Sequence, residues 1–263
     1  MTLPHDYYLK FVSSEVLDET LAFHAKGNYT IHTICQHAST LHHIPSKELE
    51  ALTGNELPLN ILEKEAPDQY FTLSPLKPEH YLKRNESCDW FVERPLDFET
   101  IQSLTAPLLT QEGHSYKRGY PSGGAIYPIE VFFVNLDNRI SRWPSESNVL
   151  HLLPSSKTFE TNSPQIDATK LTQAIIPKVS NIGRPALALL YIAYLPKALF
   201  KYRYRGYRLA LMEAGSMYML IDLRCKELNL QSRPWSGFTD YEITKCLKLN
   251  PALFTPLCVQ FVG

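Results

Sequence analysis

The run from Arg118 to Pro128 combines a cation, a hydroxyl group and two adjacent glycines immediately before a predicted strand. Glycine has no Cβ atom, so Gly123 and Gly124 would let a flat ligand approach the backbone closely. Ser122 adds a hydroxyl group to this turn, and Arg118 adds a positive charge. The Pro-Ser-Gly-Gly sequence is equally typical of an ordinary turn, and its spacing alone does not choose between a ligand site and a turn.

A second run, residues 201–208, holds four cations and three tyrosines in eight positions. The pattern predicts that this run opens a long buried helix that reaches Leu230. Guanidinium groups at a helix start suit a phosphate group, and Arg205 and Arg208 are the candidates for that contact. A basic aromatic cluster is also typical of single-stranded RNA binding or of a solvated helix face. The chain has 26 basic and 27 acidic residues, which argues against RNA more than against one small phosphorylated ligand.

Two weaker patterns complete the set of candidate sites. Ser236 and Gly237 lie in a loop after the predicted long helix, where a Ser-Gly pair would again expose backbone to a ligand. Near the N-terminus, histidines and one cysteine are of metal-ligating types, but without paired cysteines they complete no zinc motif, and no metal site is predicted. These residues are His32, Cys35, His37, His42 and His43.

From about residue 80 onward, strand patterns alternate with helical ones. Residues 186–195 are apolar on both faces, which is typical of a central strand. A short helix is predicted at 98–107, and a polar loop at 154–166. Strands separated by helices predict an α+β fold with a central sheet flanked by helices. The predicted strands cover residues 128–136, 149–153, 186–195 and 256–262.

Composition and the N-terminal pattern bound the class of protein. Residues 1–75 alternate short helical patterns with polar turns and predict a small, mainly helical region before a larger domain of residues 76–263. The longest apolar stretch, 185–195, is shorter than the roughly 20 residues of a membrane span. Because the N-terminus also lacks a signal-peptide pattern, the protein is predicted to be cytoplasmic and to bind neither membrane nor nucleic acid.

The runs 118–131 and 197–218 together resemble the SagB/McbC-type azoline oxidases, which are flavin enzymes of the nitroreductase superfamily. The sequence Trp-Ser-Gly-Phe-Thr-Asp at 235–240 continues the resemblance, which covers residues 80–263 well and the first 75 loosely. It implies a nitroreductase-like FMN-binding domain over residues 76–263. It also implies oxidation of the thiazolines and oxazolines of a ribosomally made peptide to thiazoles and oxazoles.

The resemblance also implies a role for individual residues. Lys201 and Tyr202 fall on the family's catalytic Lys-Tyr pair, and Arg205 and Arg208 would serve the phosphate or ribityl end of the flavin. From the residues alone, Lys201 and Tyr202 would equally well pair with acidic residues at a helix start. The flavin-binding residues that the resemblance implies are Arg84, Ser87, Arg118, Ser122, Gly123, Gly124, Arg205, Arg208, Ser236 and Gly237.

Three departures from the family pattern stand out. Arg84 and Ser87 fall on a phosphate motif whose second arginine is replaced by Asp89. Met219–Leu220 stands where the family commonly has Gln-Asn. The chain also stops at Gly263, without the basic residues that often follow the last strand. Each departure weakens an individual flavin contact more than the implied reaction.

Oxidation of an azoline to an azole removes two electrons and two protons from the ring. The flavin supplies the redox chemistry, and the protein aligns the ring and moves a proton. In the expected mechanism Lys201 takes the Cα proton, which requires an uncharged amine; burial and the neighbouring Arg203 and Arg205 would favour that form. Tyr202 would share the proton or hold the ring.

The resemblance further implies the partners. The substrate would be a precursor peptide bearing azolines made from Cys, Ser and Thr, and the oxidase would work beside a YcaO-type cyclodehydratase and a ThiF-like partner subunit. A homodimer within this larger complex is expected. Two alternatives stay open: a general NAD(P)H-dependent flavin reductase, and a flavin-free scaffold subunit of the cyclodehydratase complex.

Overall fold

The computed structural model describes residues 5–30, 45, 47–48, 83–111, 116–161, 166–178 and 180–263. Contacts within the chain divide it into one unit of Met1–Ile31 with Arg84–Gly263 and a second unit of His32–Lys83. The second unit, which includes the histidine and cysteine set near the N-terminus, lies almost entirely outside the described residues. The domain boundary after residue 75 stays a prediction.

Two searches of the described residues bear on the class of protein. In that part of the chain, no three His, Cys, Asp or Glu side chains are grouped so that they could hold a metal ion. The helices found there are each too short or too polar to cross a membrane.

One antiparallel sheet of six strands forms the centre of the first unit. A separate parallel pair joins β1 (Leu96–Asp97) to β3 (Ile140–Ser141). In order across the sheet, the strands are β5 (Thr158–Glu160), β4 (Val149–Leu153), β2 (Ile129–Asn135), β6 (Leu187–Tyr194), β8 (Phe254–Val262) and β7 (Ser232–Trp235).

The four predicted strands match β2, β4, β6 and β8, and β6 is buried at every residue, as predicted for a central strand. The loop predicted at 154–166 is wrong at β5, which pairs with β4. The Phe159 ring accounts for this strand, because it packs edge-on against Phe133 in the core with 5.1 Å between ring centroids. The edge strand β7 is an addition to the predicted set, and Pro234 within it is typical of an edge position.

Helices flank the sheet and confirm the predicted α+β class. The predicted short helix at 98–107 matches α2, which begins after Asp97, whose Oδ1 accepts a 2.8 Å hydrogen bond from the Thr100 backbone N–H. The helices are α1 (Ser14–Ala25), α2 (Phe98–Thr105), α3 (Ala168–Ile175), α4 (Leu195–Tyr202), α5 (Tyr204–Glu227) and α6 (Asp240–Cys246), with 3₁₀ helices at His5–Phe11, Ala106–Leu108, Gly123–Ala125 and Leu136–Asn138.

Neighbouring residues of β2 point into two different hydrophobic layers, because side chains alternate along a strand. Phe133 belongs to the layer that includes Ala210 and Ala214 of α5. Phe132 belongs to the layer that includes Leu171 of α3 and Ile243 of α6. The sheet is therefore the middle layer of the unit, and α5 covers one of its faces.

The long helix does not open at residue 201, contrary to the prediction. Lys201 and Tyr202 form the last turn of α4, and the helix ends because Arg203 adopts φ +48° and ψ −134°. The two helices then approach closely at Gly206, where a Cβ atom would lie 2.0 Å from the Ala198 carbonyl oxygen. This close approach holds the break in place, since any residue larger than glycine would push α5 away from α4.

The prediction that the long helix is buried all round is also wrong. Ala210, Ala214 and Met217 face the core, as an amphipathic helix requires. Leu211 and Met212 lie on the opposite side, and 44% and 62% of their surfaces are exposed. The helix therefore carries an apolar outer face.

Candidate functional site

The break between α4 and α5 brings Lys201 and Tyr202 to the glycine turn. Gly124 has φ +64°, and a Cβ atom on it would lie 2.6 Å from the Tyr202 hydroxyl oxygen and 3.0 Å from Lys201 Nζ. The Lys201 amine lies 5.3 Å from the centroid of the Tyr202 ring. Two runs that are about 80 residues apart in the sequence thus meet at their polar ends. We call Ser122, Gly123, Gly124, Lys201 and Tyr202 the junction cluster.

The glycines of this cluster make room for the protein's own side chains. A Cβ atom on Gly124 would collide with the Tyr202 hydroxyl, and one on Gly123 would lie 2.8 Å from Leu209 Cδ1. On the sides where Cβ atoms would point, both positions are therefore taken. A flat ligand would have to approach this backbone from a side other than the one on which the Cβ atoms are absent.

Glu213 of α5 lies beneath the turn, and the sequence analysis missed it. The Ser122 hydroxyl and the Ile129 backbone N–H interact with its carboxyl group and act to lower its pKa, and Ser122 Oγ accepts a 2.8 Å hydrogen bond from the Tyr127 N–H. Burial raises the pKa of Glu213 to about 7, although the Ser122 hydrogen bond and the Arg118 charge act to lower it. The one available signal was an acidic residue inside the apolar stretch that α5 turns toward the core.

The cations around the α4–α5 break are exposed and form no ion pair with the described residues. Lys201, Arg203, Arg205 and Arg208 are all exposed. The ion pairs found among the described residues involve other side chains: those of Arg84, Arg139, Arg142, Arg184, Arg224, Arg233, Lys170, Lys197, His24 and His151. The charge at the start of α5 is therefore available to an anion. The expected burial of Lys201 is not found within this one chain.

Arg84 and Ser87 lie in a different cluster. The Arg84 Nε–H donates to the Asp222 carboxylate, and Arg84 Nη2 lies 3.0 Å from Ser87 Oγ. Asp222 is 2% exposed and also accepts hydrogen bonds from Ser232 Oγ and, at 2.7 Å, from Gln260 Nε2. We call these five residues the Asp222 cluster. Its arginine compensates a buried carboxylate, so its charge is already in use.

The Asp222 cluster lies far along α5 from Arg205 and Arg208, the other candidates for the phosphate contact. Asp222 follows Arg208 by fourteen residues on this helix, which corresponds to about 20 Å at 1.5 Å per residue. Within one chain, therefore, Arg84 does not share a single phosphate with Arg205 and Arg208. The structure does not bring these predicted phosphate contacts together.

Ser236 and Gly237 follow β7, whose first residue Ser232 belongs to the Asp222 cluster. Ser236 is exposed. A Cβ atom on Gly237 would lie 2.8 Å from Cζ2 of the Trp235 ring, so this glycine makes room for the indole. These two predicted flavin contacts stay predictions, on a strand edge next to the Asp222 cluster.

Arg118 faces a separate cavity of about 730 Å³. Its Nη1–H donates to the Tyr120 hydroxyl at 2.8 Å, and its guanidinium carbon lies 4.5 Å from the Tyr127 ring centroid. Glu130 and His151 also line this cavity. The cavity at the junction cluster is much smaller, about 10 Å³. Of the residues that the resemblance singles out, the larger cavity is therefore lined by Arg118 but by none of the junction cluster.

Comparison with known proteins decides the family. No family model matches the sequence. The microcin B17-processing protein McbC of Escherichia coli is 34% identical over 265 residues, covering 96% of this chain and 92% of that protein. The chain belongs to the SagB/McbC-type family. A putative nitroreductase of Methanocaldococcus jannaschii is 25% identical over 201 residues, which cover 74% of this chain and 96% of that protein.

Solved structures support the same assignment. The E. coli microcin synthetase McbBCD complex with truncated pro-MccB17 bound contains a chain that matches with a TM-score of 0.81 and 30% identity, covering 100% of this chain and 97% of that one. A putative nitroreductase of Ralstonia eutropha matches with a TM-score of 0.56 and 15% identity, covering 74% and 86% of the two chains. The nitroreductase-like fold predicted from the sequence is confirmed.

Two departures from the SagB/McbC-type pattern have defined places in the structure. Asp89, in place of the usual arginine, accepts a 3.1 Å hydrogen bond from Arg233 Nη1 on β7. Met219 is half-buried on α5, three residues before Asp222. Asp89 thus binds Arg233 near the position where the family has the second arginine of its phosphate motif.

Proposed function

We propose that this protein is an FMN-dependent azoline oxidase that converts thiazolines and oxazolines of a ribosomally synthesised peptide to thiazoles and oxazoles. Its E. coli relative is named for processing microcin B17, and the matching structure is of a synthetase complex with a truncated propeptide bound. The observation that carries the proposal is the convergence of Lys201 and Tyr202 on Gly124. The two residues that match the family's catalytic pair thereby lie beside the glycine turn of a distant run.

The donor groups of the chain fit FMN. The phosphate of FMN suits Arg205 and Arg208, which are exposed and form no ion pair within the described part of the chain. They are three residues apart and so share one face of α5. In this proposal, Ser122 and the backbone of the glycine turn contact the flavin beside Lys201 and Tyr202. FMN, when bound, supplies the two-electron chemistry of the oxidation.

The chain's own residues handle the proton. Of the two hydrogens that the ring loses, Lys201 Nζ accepts the one on Cα as a proton, while the Tyr202 hydroxyl holds the ring in register. The second hydrogen leaves with both electrons, which is the chemistry that bound FMN would supply. General base catalysis of this kind contributes about 10²–10⁴ in rate. Because Lys201 is exposed in the single chain, the bound flavin, the peptide and a neighbouring subunit must together exclude water from the amine.

A homodimer completes this proposal. Asp222 and Arg208 lie about 20 Å apart along α5 in one chain, and Leu211 and Met212 expose apolar surface between them. If α5 packs antiparallel against its copy, Arg84 of one subunit approaches Arg205 of the other. Burial of the apolar face would stabilise that pairing.

The proposed partners follow from the family. The substrate is a precursor peptide carrying Cys-, Ser- and Thr-derived azolines, which a YcaO-type cyclodehydratase and a ThiF-like subunit prepare. The likeness to a chain of the McbBCD synthetase complex supports work inside such an assembly. The reaction places the protein in the cytoplasm, where ribosomally made peptides are modified.

Mutation of Lys201 tests the proposal. Lys201→Ala should retain bound FMN, seen as flavin absorbance, but slow azole formation by about 10²–10⁴-fold, because alanine cannot accept the proton. Mass spectrometry measures the loss of two hydrogen atoms per oxidised ring. The matched control is Lys245→Ala, at an exposed lysine on α6, which should behave as the wild type.

Undiminished ring oxidation in Lys201→Ala would contradict the assigned base. Purified protein without flavin absorbance would instead favour the scaffold subunit. Rapid bleaching of the flavin by NAD(P)H without a peptide would favour a general flavin reductase. The flavin absorbance and the NAD(P)H measurement therefore distinguish the three candidate functions, and Lys201→Ala tests the assigned base.

A further inference from the structure

Glu213 is the buried titratable group closest to the proposed site that the mechanism above does not use. It is 2% exposed, and its Oε1 atom has no hydrogen-bond partner among the described residues. It lines the cavity of about 10 Å³ together with Tyr202, Ser122 and Gly123. A carboxyl group is thus enclosed directly behind the junction cluster.

The groups around Glu213 come from every element packed against it. Arg118 and Tyr120 act on it from the loop before the glycine turn. The α4 helix contributes Lys197, whose charge acts to lower the pKa of Glu213, and Tyr202, which shares the cavity. The surroundings therefore contain two cations, yet burial outweighs them.

We propose that Glu213 is a positioning residue, whose carboxylate holds the Ser122 hydroxyl and thereby fixes the glycine turn against Lys201 and Tyr202. Ser122 is suited to this, because its oxygen already accepts from the Tyr127 N–H at 2.8 Å and its own hydrogen is left to donate to Glu213. The inference deepens the proposed function, on which it rests wherever flavin binding is measured.

The contact between Glu213 and the Ser122 hydroxyl depends on the charge of the carboxyl group. An ionised carboxylate accepts hydrogen bonds at both oxygens, whereas a protonated one gives up part of that capacity. Burial raises the pKa of Glu213 to about 7, so the contact strengthens as the pH rises through neutrality. The glycine turn should therefore be ordered for FMN above pH 7 and loosened below it.

As the pH rises, the stability of the protein changes in the direction opposite to its affinity for FMN. Since the folded-state pKa lies above the ordinary value of 4.5, the folded protein binds this proton more tightly than the unfolded chain does. The Glu213 contribution to stability is therefore greatest at low pH and is lost as the pH rises to about 7. Opposite trends in flavin affinity and stability distinguish a positioning carboxylate from a merely structural one.

The experiment compares the wild type with Glu213→Gln between pH 5.5 and 8.5. The FMN dissociation constant, from quenching of flavin fluorescence, should fall severalfold across pH 7 in the wild type and change less in the variant. The melting temperature of the flavin-free protein should fall over the same range in the wild type and stay flatter in Glu213→Gln. Glu227→Gln, at an exposed position on the same helix, is the matched control.

A double-mutant cycle with Ser122→Ala tests the route of the effect. If Glu213 acts through Ser122, adding Glu213→Gln to Ser122→Ala should leave the FMN dissociation constant within about twofold of the single variant. Additive losses would overturn the inference. So would a stability profile of Glu213→Gln that matches the wild type.

The two measurements, of FMN binding and of stability, also distinguish a failure of this inference from a failure of the proposed function. The stability profile needs no flavin, so a protein that binds no FMN would contradict the proposed function and still test the titration of Glu213. If Glu213→Gln does not fold, Ser122→Ala carries the test alone. Loss of its hydrogen bond should move the pH midpoint of the stability profile upward, and an unchanged midpoint would overturn the inference.

Discussion

The Asp222 cluster and the region of the junction cluster both contain arginines, but these arginines have different roles. Arg84 lies against the buried Asp222, whose other hydrogen bonds come from Ser232 and Gln260. Arg205, by contrast, is exposed and is in no ion pair with a described residue. An arginine that compensates a buried carboxylate stabilises the fold, whereas an exposed, unpaired arginine is available to a ligand.

The two buried carboxylates of α5 show the same contrast. Asp222 has an arginine and two side-chain donors bonded directly to it. Glu213 has interactions with Ser122 and Ile129, the charges of Arg118 and Lys197, and one oxygen without a hydrogen-bond partner among the described residues. The well-compensated carboxylate belongs to the scaffold, and the poorly compensated one lies behind the proposed site.

The largest expected effect is on stability, in the Asp222 cluster. Asp222→Ala removes the partner of Arg84, the acceptor of the Ser232 hydroxyl and one of the two acceptors of Gln260 Nε2, so it should lower the free energy of unfolding by about 3 kcal/mol. Urea denaturation measures this change. Asp89→Ala removes a carboxylate that is 96% exposed and should change the free energy by less than about 0.5 kcal/mol. Equal effects of the two variants would break the comparison.

An intermediate effect is expected at the glycine turn. Gly124→Ala forces a side chain into a left-handed conformation, which costs about 1–2 kcal/mol, and pushes its Cβ atom against the Tyr202 hydroxyl and Lys201 Nζ. Ring oxidation should fall along with the free energy of unfolding. Gly27→Ala is the control, since a Cβ atom there meets its nearest neighbour, the His24 carbonyl oxygen, at 3.5 Å. Full activity in Gly124→Ala would contradict the geometry of the junction cluster.

The smallest effect on stability, with a large one on binding, is expected at the start of α5. Arg205→Ala and Arg208→Ala should each change the free energy of unfolding by less than about 0.5 kcal/mol, because neither side chain is buried. Each should weaken FMN binding by about tenfold, the value of one charge-assisted hydrogen bond. Titration of flavin fluorescence measures this, with the exposed Arg142→Ala as control. Unchanged affinity in both variants would place the phosphate elsewhere.

Local patterns predicted most of the sheet and the identity of the junction residues. The apolar run of β6 and the β-branched run of β2 could be predicted as strands, because a residue's burial sets the pattern of its own segment. The short β5 could not, since its three residues depend on Phe159 finding the core next to Phe133. The break at Arg203 was missed for a similar reason. It is a non-glycine residue with positive φ, held by the close packing of Gly206 on Ala198.

By itself, the amino-acid sequence determined the α+β class, the central strand and a turn without side chains at Gly123 and Gly124. The folded chain decided which charges are in use. Arg84 meets Asp222 across 138 positions of sequence, while Arg205 and Arg208 meet no carboxylate among the described residues. Whether a charge is compensated depends on its neighbours in space, and those neighbours come from segments that no local pattern relates to one another.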